Sequence, residues 1–271
     1  MLNQETENHS VSDKKYLVPF ILITSLFFLW GFARAILDVL NKHFQNALHI
    51  SITQSAMIQV TTYLGYFLMA IPAGIFINKY GYRRGVVFGL LLFGLGAIFF
   101  IPGASIGSFS AFLFCLFVIG CGLVFLETAA NPYVTELGAR ETATSRLNLS
   151  QSFNGLGSIF ATFCIGQFLF NDTQQGGNVV IPYAILGVLV LAIAVVFSRV
   201  DLPEIQHQQT TEDKAKGSNI AKLFANHRMF VFGLFALLSY EVAEISINSY
   251  FINFVTGMHW MSDRTASLVL T

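Results

Sequence analysis

Long apolar runs separated by short clusters of charge decide what this chain can fold into. At ~20 residues per helical crossing of a bilayer, spans fall at 17–41, 54–78, 85–102, 110–136, 147–170, 180–199 and 229–254, and an eighth begins near Thr265. Lipid offers no partner to an open backbone N–H or C=O, so such a run crosses as a helix or as a strand of a closed barrel. A barrel strand alternates apolar and polar residues over ~10 positions, and none of these runs does. Composition agrees: 54% of the 271 residues are hydrophobic and 11% are charged, against ~25% charged in soluble domains. The expectation is an all-α membrane protein, a bundle of spanning helices.

Charge sets the orientation. If the spans alternate, Lys14, Lys15, Lys79, Arg83, Arg84, Arg140, Arg146, Arg199, Lys214, Lys216, Lys222 and Arg228 share one side, and only Lys42 and Arg264 take the other. The positive-inside rule then makes the N-terminus cytoplasmic and the protein a multi-pass component of the inner (plasma) membrane. Met1 to Lys15 lacks the apolar core and small-residue cleavage site of a secretory signal, so the first run is expected to remain as a span. The organisation expected is a cytoplasmic tail over 1–15, a six-helix half over 16–200, a polar Gln-rich linker over 201–228 (with room for one surface helix) and the start of a second half over 229–271. A helix ending in mid-bilayer would strand its last carbonyls, so the chain is expected to be a fragment of a longer protein.

Several functions are excluded. Zero net charge leaves no basic face for nucleic acid. Cys115, Cys121 and Cys164 are odd in number and lie in apolar runs, so they read as packing residues. There is no phosphate-binding G-x4-G-K-[ST], no His/Cys/Asp cluster at metal-ligand spacing, and no G-x-S-x-G or H-E-x-x-H pattern. Neither an ATP-driven pump, nor a metal site, nor an enzyme is expected, and no cofactor beyond a proton as coupling ion.

Functional weight falls on Glu127, near the middle of the fourth span, with Pro132 five residues on. A carboxylate there is expensive and normally faces a cavity or a partner, while the proline removes a backbone donor beside it. Packing against a neighbouring helix is the alternative. Asn148, Gln151 and Asn154, three apart, share one face of the fifth span. Their amides each offer donors and an acceptor, which suits a polar ligand or interhelical glue. Glu241 and Glu244, with Asn248 one turn beyond, line one face of the seventh span, where Glu241 could pair with a base outside this chain. Arg34 and Asp38 are four apart on the first span, so an internal ion pair is expected there. Alternatively Arg34 faces the cavity and holds an anionic ligand.

Two resemblances sharpen this. Gly74-Ile75-Phe76-Ile77-Asn78-Lys79-Tyr80-Gly81-Tyr82-Arg83-Arg84 resembles the signature loop of the major facilitator superfamily, with Asn78 and Lys79 in place of the usual Asp and Arg. That implies a conformational gating loop that latches helix ends, though Asn78 cannot form the usual ion pair. Leu126-Glu127-Thr128-Ala129-Ala130-Asn131-Pro132, Arg146-Leu147-Asn148-Leu149, Gln151, Phe153-Asn154, Phe27-Phe28-Leu29-Trp30 with Asp38, Gly65-Tyr66-Phe67 and Ile71-Pro72-Ala73-Gly74 closely resemble the fucose–proton symporter family. Its members carry L-fucose, glucose, galactose or N-acetylglucosamine with protons. The resemblance implies a monomeric major facilitator fold whose halves rock about a midplane site. It makes Asp38 and Glu127 the acids of proton coupling and sugar recognition, and Gln151, Asn154 and Glu244 sugar contacts. Asn248 and the stacking platform Trp30 would extend that wall. The family's usual Asn residues ahead of the first-span acid are replaced by Arg34 and its neighbours. This departure leaves an acidic-sugar carrier, or a sensor that binds sugar without moving it, as the other readings.

Overall fold

The computed structural model describes residues 14–106, 108–169, 180–200 and 227–270. The tail expected over 1–15 lies almost wholly outside the described residues, and so does the 201–228 linker but for its last two positions. Every element among the described residues is helical: α1 Lys14–Leu48, α2 Ile52–Tyr80, α3 Tyr82–Ile98, α4 Phe100–Ile106, α5 Phe109–Glu136, a 3-10 turn Arg140–Thr142, α6 Ala143–Leu169, α7 Val180–Arg199, α8 Arg228–Gly257 and α9 Asp263–Leu270. Among the described residues, six helices are long and apolar enough to cross a membrane. The sixth helix, α6, is equally long but carries the polar face read from Asn148, Gln151 and Asn154.

Local chemistry explains the ends. Ser51 caps α2 with its hydroxyl on the Gln54 amide, and the Gln54 side chain returns to the Ser51 amide. Gly81, at φ 87°, turns the chain between α2 and α3 in a conformation open mainly to glycine. The span expected over 85–102 lies within a stretch, Tyr82–Gly103, that is long and apolar enough to cross a membrane, with a turn at Phe99 where α3 passes into α4. Pro102 has no amide to offer the Ile98 carbonyl one turn back, which loosens the helix there, while Phe99 N–H to the Leu95 carbonyl and Gly103 N–H to the Phe99 carbonyl, both at 2.9 Å, carry it through. Arg146, 4% exposed, staples the end of α5 to the start of α6. Its guanidinium donates to the carbonyls of Val134 at 3.1 Å, Thr135 at 2.7 Å and Ala139 at 2.8 Å, and to the Thr142 hydroxyl.

Two packing modes arrange the bundle. Helices α1 and α6 cross at Gly31 and Gly157, where a methyl group would lie 2.0 Å from the Asn154 carbonyl oxygen and 2.1 Å from that of Phe28. In lipid, helices associate by such close backbone approach and by hydrogen bonds between small polar residues. Here Ser158 Oγ donates to the Gly31 carbonyl at 3.1 Å, and Thr24 and Ser150 share a hydroxyl bond at 3.0 Å. Toward α8 the first helix is instead polar: Arg34, Asp38 and Asn41 all meet that helix.

Candidate transport site

Two chambers open on either side of Arg34. The larger, about 360 Å³, is lined by Trp30, Arg34 and Leu37 of α1, Thr62, Tyr63 and Tyr66 of α2, Leu123 and Glu127 of α5, and the Leu238–Ile245 face of α8. The smaller, about 190 Å³, is bounded by Arg34 and Asp38, by Asn154, Ser158 and Thr162 of α6, and by Glu244 and Asn248 of α8. The close α1–α6 crossing creates the second chamber, because it lays Asn154 against the turn of α1 that precedes Arg34.

The sequence-predicted residues sort between these chambers. Trp30, Glu127 and Glu241 line the first; Asp38, Asn154, Glu244 and Asn248 line the second; Arg34 belongs to both. Gln151 lines neither and reaches Asn131 at 3.4 Å from an exposed position. Trp30 is fixed edge-on to Phe27, and its indole N–H donates to the Tyr66 hydroxyl at 2.9 Å. An indole face held this way is a preformed stacking surface. The Asn154 amide nitrogen is buried without a partner among the described residues and is free to meet a hydroxyl in the chamber.

The expected Arg34–Asp38 pair does not form. Arg34 Nη2 lies 3.1 Å from Glu241 Oε2 and 3.8 Å from Glu244 Oε1, bridging α1 to α8. Asp38 Oδ1 accepts instead from Gln59 Nε2 at 3.2 Å and Ser249 Oγ at 2.9 Å. The i, i+4 spacing makes a local pair possible, but α8 brings two carboxylates to the same face, and the long Arg34 side chain reaches outward to them. Glu241 thus finds its base inside this chain. The contributions of Gln59, Tyr63, Tyr66 and Ser249 are not apparent from the spacing arguments above. For the first three the available signal was polar residues at helical spacing on the otherwise apolar α2.

Far from the chambers lies the α2–α3 loop. Gly74 has open space where a side chain would stand, Asn78 and Lys79 are exposed, and the Lys79 ammonium sits 5.1 Å over the Tyr80 ring. Arg83 donates to the terminal carbonyls of α7, at 3.3 Å from Phe197 and also to Ser198. Arg84 points outward, exposed. The loop therefore ties helix ends through Arg83.

The Major Facilitator Superfamily family model matches residues 23–271. The chain belongs to this superfamily. Among curated relatives, a protein named glucose/galactose transporter from Brucella abortus is 34% identical over 261 residues, covering 94% of this chain and 62% of the relative. The L-fucose-proton symporter of Escherichia coli K12 is 35% identical over 279 residues, covering 92% of this chain and 64% of its own length. That of Haemophilus influenzae is 37% identical over 228 residues, covering 74% and 53%. This superfamily member thus spans between half and two thirds of those curated relatives. A crystal structure of the E. coli fucose:proton symporter FucP, in a single-residue variant, superposes with a TM-score of 0.72 at 33% identity, covering 95% of this chain and 67% of that one. The xylose transporter XylE in an inward open conformation matches at TM-score 0.58 and 14% identity, covering 80% of this chain and 56% of that one, a likeness of fold.

Proposed function

We propose that this chain forms the first half, and the start of the second, of a proton-coupled monosaccharide symporter of the inner membrane. The observation that carries the reading is the first chamber, where the intramembrane acid Glu127 faces a fixed Trp30–Tyr66 pair. Its volume is at the low end for small-molecule sites, the size class of one sugar ring. Relatives named for L-fucose–proton symport and for glucose/galactose transport support the same substrate class.

The physical logic is local. A bare carboxylate on Glu127 is costly to enclose; protonation removes that cost and lets the chamber close over a neutral sugar. Trp30 stacks on the ring, while Asn154 from the second chamber, and Glu244 and Asn248 on α8, offer hydrogen-bond partners to hydroxyls. Gln151 would join them by a side-chain rotation. Arg34, already held by two glutamates, is a poor receptor for a sugar carboxylate, which favours neutral sugars over acidic ones. The positive-inside pattern places the N-terminus and the Gly74–Arg84 loop on the cytoplasmic face. The 201–228 segment then links the two halves. The transporter acts as a monomer without cofactor or nucleic acid.

The test uses energy-depleted, weakly buffered cells expressing the full-length transporter. Adding L-fucose, D-glucose or D-galactose is expected to alkalinise the medium with one of them, and Glu127→Gln to abolish the signal. Binding of a sugar with no accompanying proton movement would refute symport and favour a sensor or a facilitator.

A further inference from the structure

Ser249 behaves unlike its neighbours on α8. A hydroxyl on a spanning helix ordinarily bonds back to a carbonyl of its own helix, as Ser239 does to Phe235 at 2.9 Å and Thr256 to Ile252 at 2.7 Å. Ser249, 2% exposed, instead donates across the interface to Asp38 Oδ1 at 2.9 Å. Gln59 Nε2 of α2 closes a ring, donating to the same Asp38 oxygen at 3.2 Å and to Ser249 Oγ at 2.8 Å. The Ser249 carbonyl is held as well: Asn41 Nδ2 donates to it at 2.9 Å, and Gln45 Nε2 joins Asn41 Oδ1 at 3.1 Å to Ser55 Oγ at 2.8 Å. Beyond the ring, Asp263 meets Lys42 at 3.9 Å and Asn46 at 2.9 Å. One end of α1 and α2 is therefore joined to one end of α8 and α9 through a network with Asp38 at its inner limit.

We infer that Ser249 is a positioning residue for proton coupling, transmitting the charge state of Asp38 to α8. An ionised carboxylate is acceptor only, and its hydrogen bonds are about twice as strong as those to a neutral oxygen. Ionised Asp38 draws the Ser249 and Gln59 donors together and closes the α1–α8 end. Protonated Asp38 holds them weakly, and α8 is released. The charged groups facing Asp38 are Arg34 on its own helix and Glu244 on α8. Tyr63 of α2 lies nearby, and the α6 residues Asn154, Ser158 and Thr162 are neutral. Protonation of Asp38 thus takes place beside a guanidinium that Glu241 and Glu244 already engage. The inference rests on the symport reading for its place in transport, while the ring itself is independent of that reading.

The experiment separates the two. Spin labels at Thr53→Cys and Met258→Cys, both exposed near this end, are placed in the full-length transporter with Cys115, Cys121 and Cys164 replaced. Their separation is measured by pulsed electron paramagnetic resonance at roughly pH 5 and pH 9, well to either side of neutral. The wild type is expected to shift toward the longer separation in acid. Ser249→Ala should show the longer separation at both pH values, Gln59→Leu should do the same, and Ser249→Thr should restore the wild-type response. In uptake, Ser249→Ala should keep KM for the transported sugar within about twofold and lower uphill accumulation about tenfold, the scale of one charge-assisted hydrogen bond. A wild-type separation indifferent to pH, or a Ser249→Ala protein that tracks the wild type, would overturn the inference. Wild-type cells that show no sugar-driven alkalinisation would instead overturn the symport reading, with the distance measurement still deciding the ring.

Discussion

Replacing Gly31 by Ala tests whether the α1–α6 crossing holds the second chamber in shape. The new methyl would stand 2.0 Å from the Asn154 carbonyl oxygen and 3.1 Å from its Cα, both backbone atoms that no rotamer can move aside. The helices must separate by more than an ångström locally. Overpacking of this kind costs about 1–3 kcal/mol, or an unfolding midpoint lower by about 3–10 °C for a protein of this size. Asn154 would withdraw from Asp38 and Arg34 by a similar distance, and a misplacement of ~1 Å in a binding constellation can cost ~100-fold in rate. Gly155, next in sequence to Asn154, supplies the control. A methyl there meets nothing within 4 Å, so Gly155→Ala should be neutral or stabilise by up to ~1 kcal/mol through helix propensity. Thermal unfolding of the purified protein in detergent, followed by intrinsic fluorescence, reads both variants. Equal midpoints for the two would refute the reasoning.

Three further outcomes follow from the geometry. Arg34→Gln and Glu241→Gln should each destabilise, and the double variant should recover part of the loss. The side chains are 31% and 38% exposed, so the coupling in a double-mutant cycle should be only about 1 kcal/mol; zero coupling would deny the pair. Trp30→Phe removes the bond to Tyr66 but keeps a ring, so KM for the sugar should rise several-fold at nearly unchanged thermal stability. An unchanged KM would remove Trp30 from the site. Arg146→Lys should lose most of the stability that Arg146→Ala loses, since an ammonium cannot serve in one plane the four acceptors that the guanidinium reaches. Full rescue by lysine in the same melting assay would show that charge alone matters.

What was legible in the sequence was whatever depends on neighbours along the chain. The spanning helices follow from apolar length, because lipid leaves the backbone no other arrangement. Residues of the first span were brought together with α6 and α8 as the motifs implied, although Gln151 falls outside both chambers. The partner of Arg34 was not legible. Asp38 is one turn away in sequence, but Glu241 and Glu244 arrive from more than two hundred residues downstream, and helix periodicity says nothing of which helix will cover a face. The loosened turn at Phe99 was written in Pro102, and the span runs on through it to Gly103 as the apolar run implied. Ser249 carried no signal at all: a lone serine in a membrane helix usually serves its own backbone.

The first helix has two unlike sides, and this decides where the molecule can slide. Against α6 it is joined by interlocked backbone with Gly31 and Gly157 at the crossing. No solvent can enter such a seam, and any sliding along it meets immediate steric resistance. Against α8 it is joined by hydrogen bonds and an ion pair. Water can take over each of those bonds at small net cost. The bundle is thus mechanically anisotropic about α1, welded on one side and zipped on the other. The plane of easiest shear runs between α1 and α8. Arg34, Asp38, Glu241 and Glu244 lie along that plane, so relative motion of α1 and α8 would change their solvent exposure.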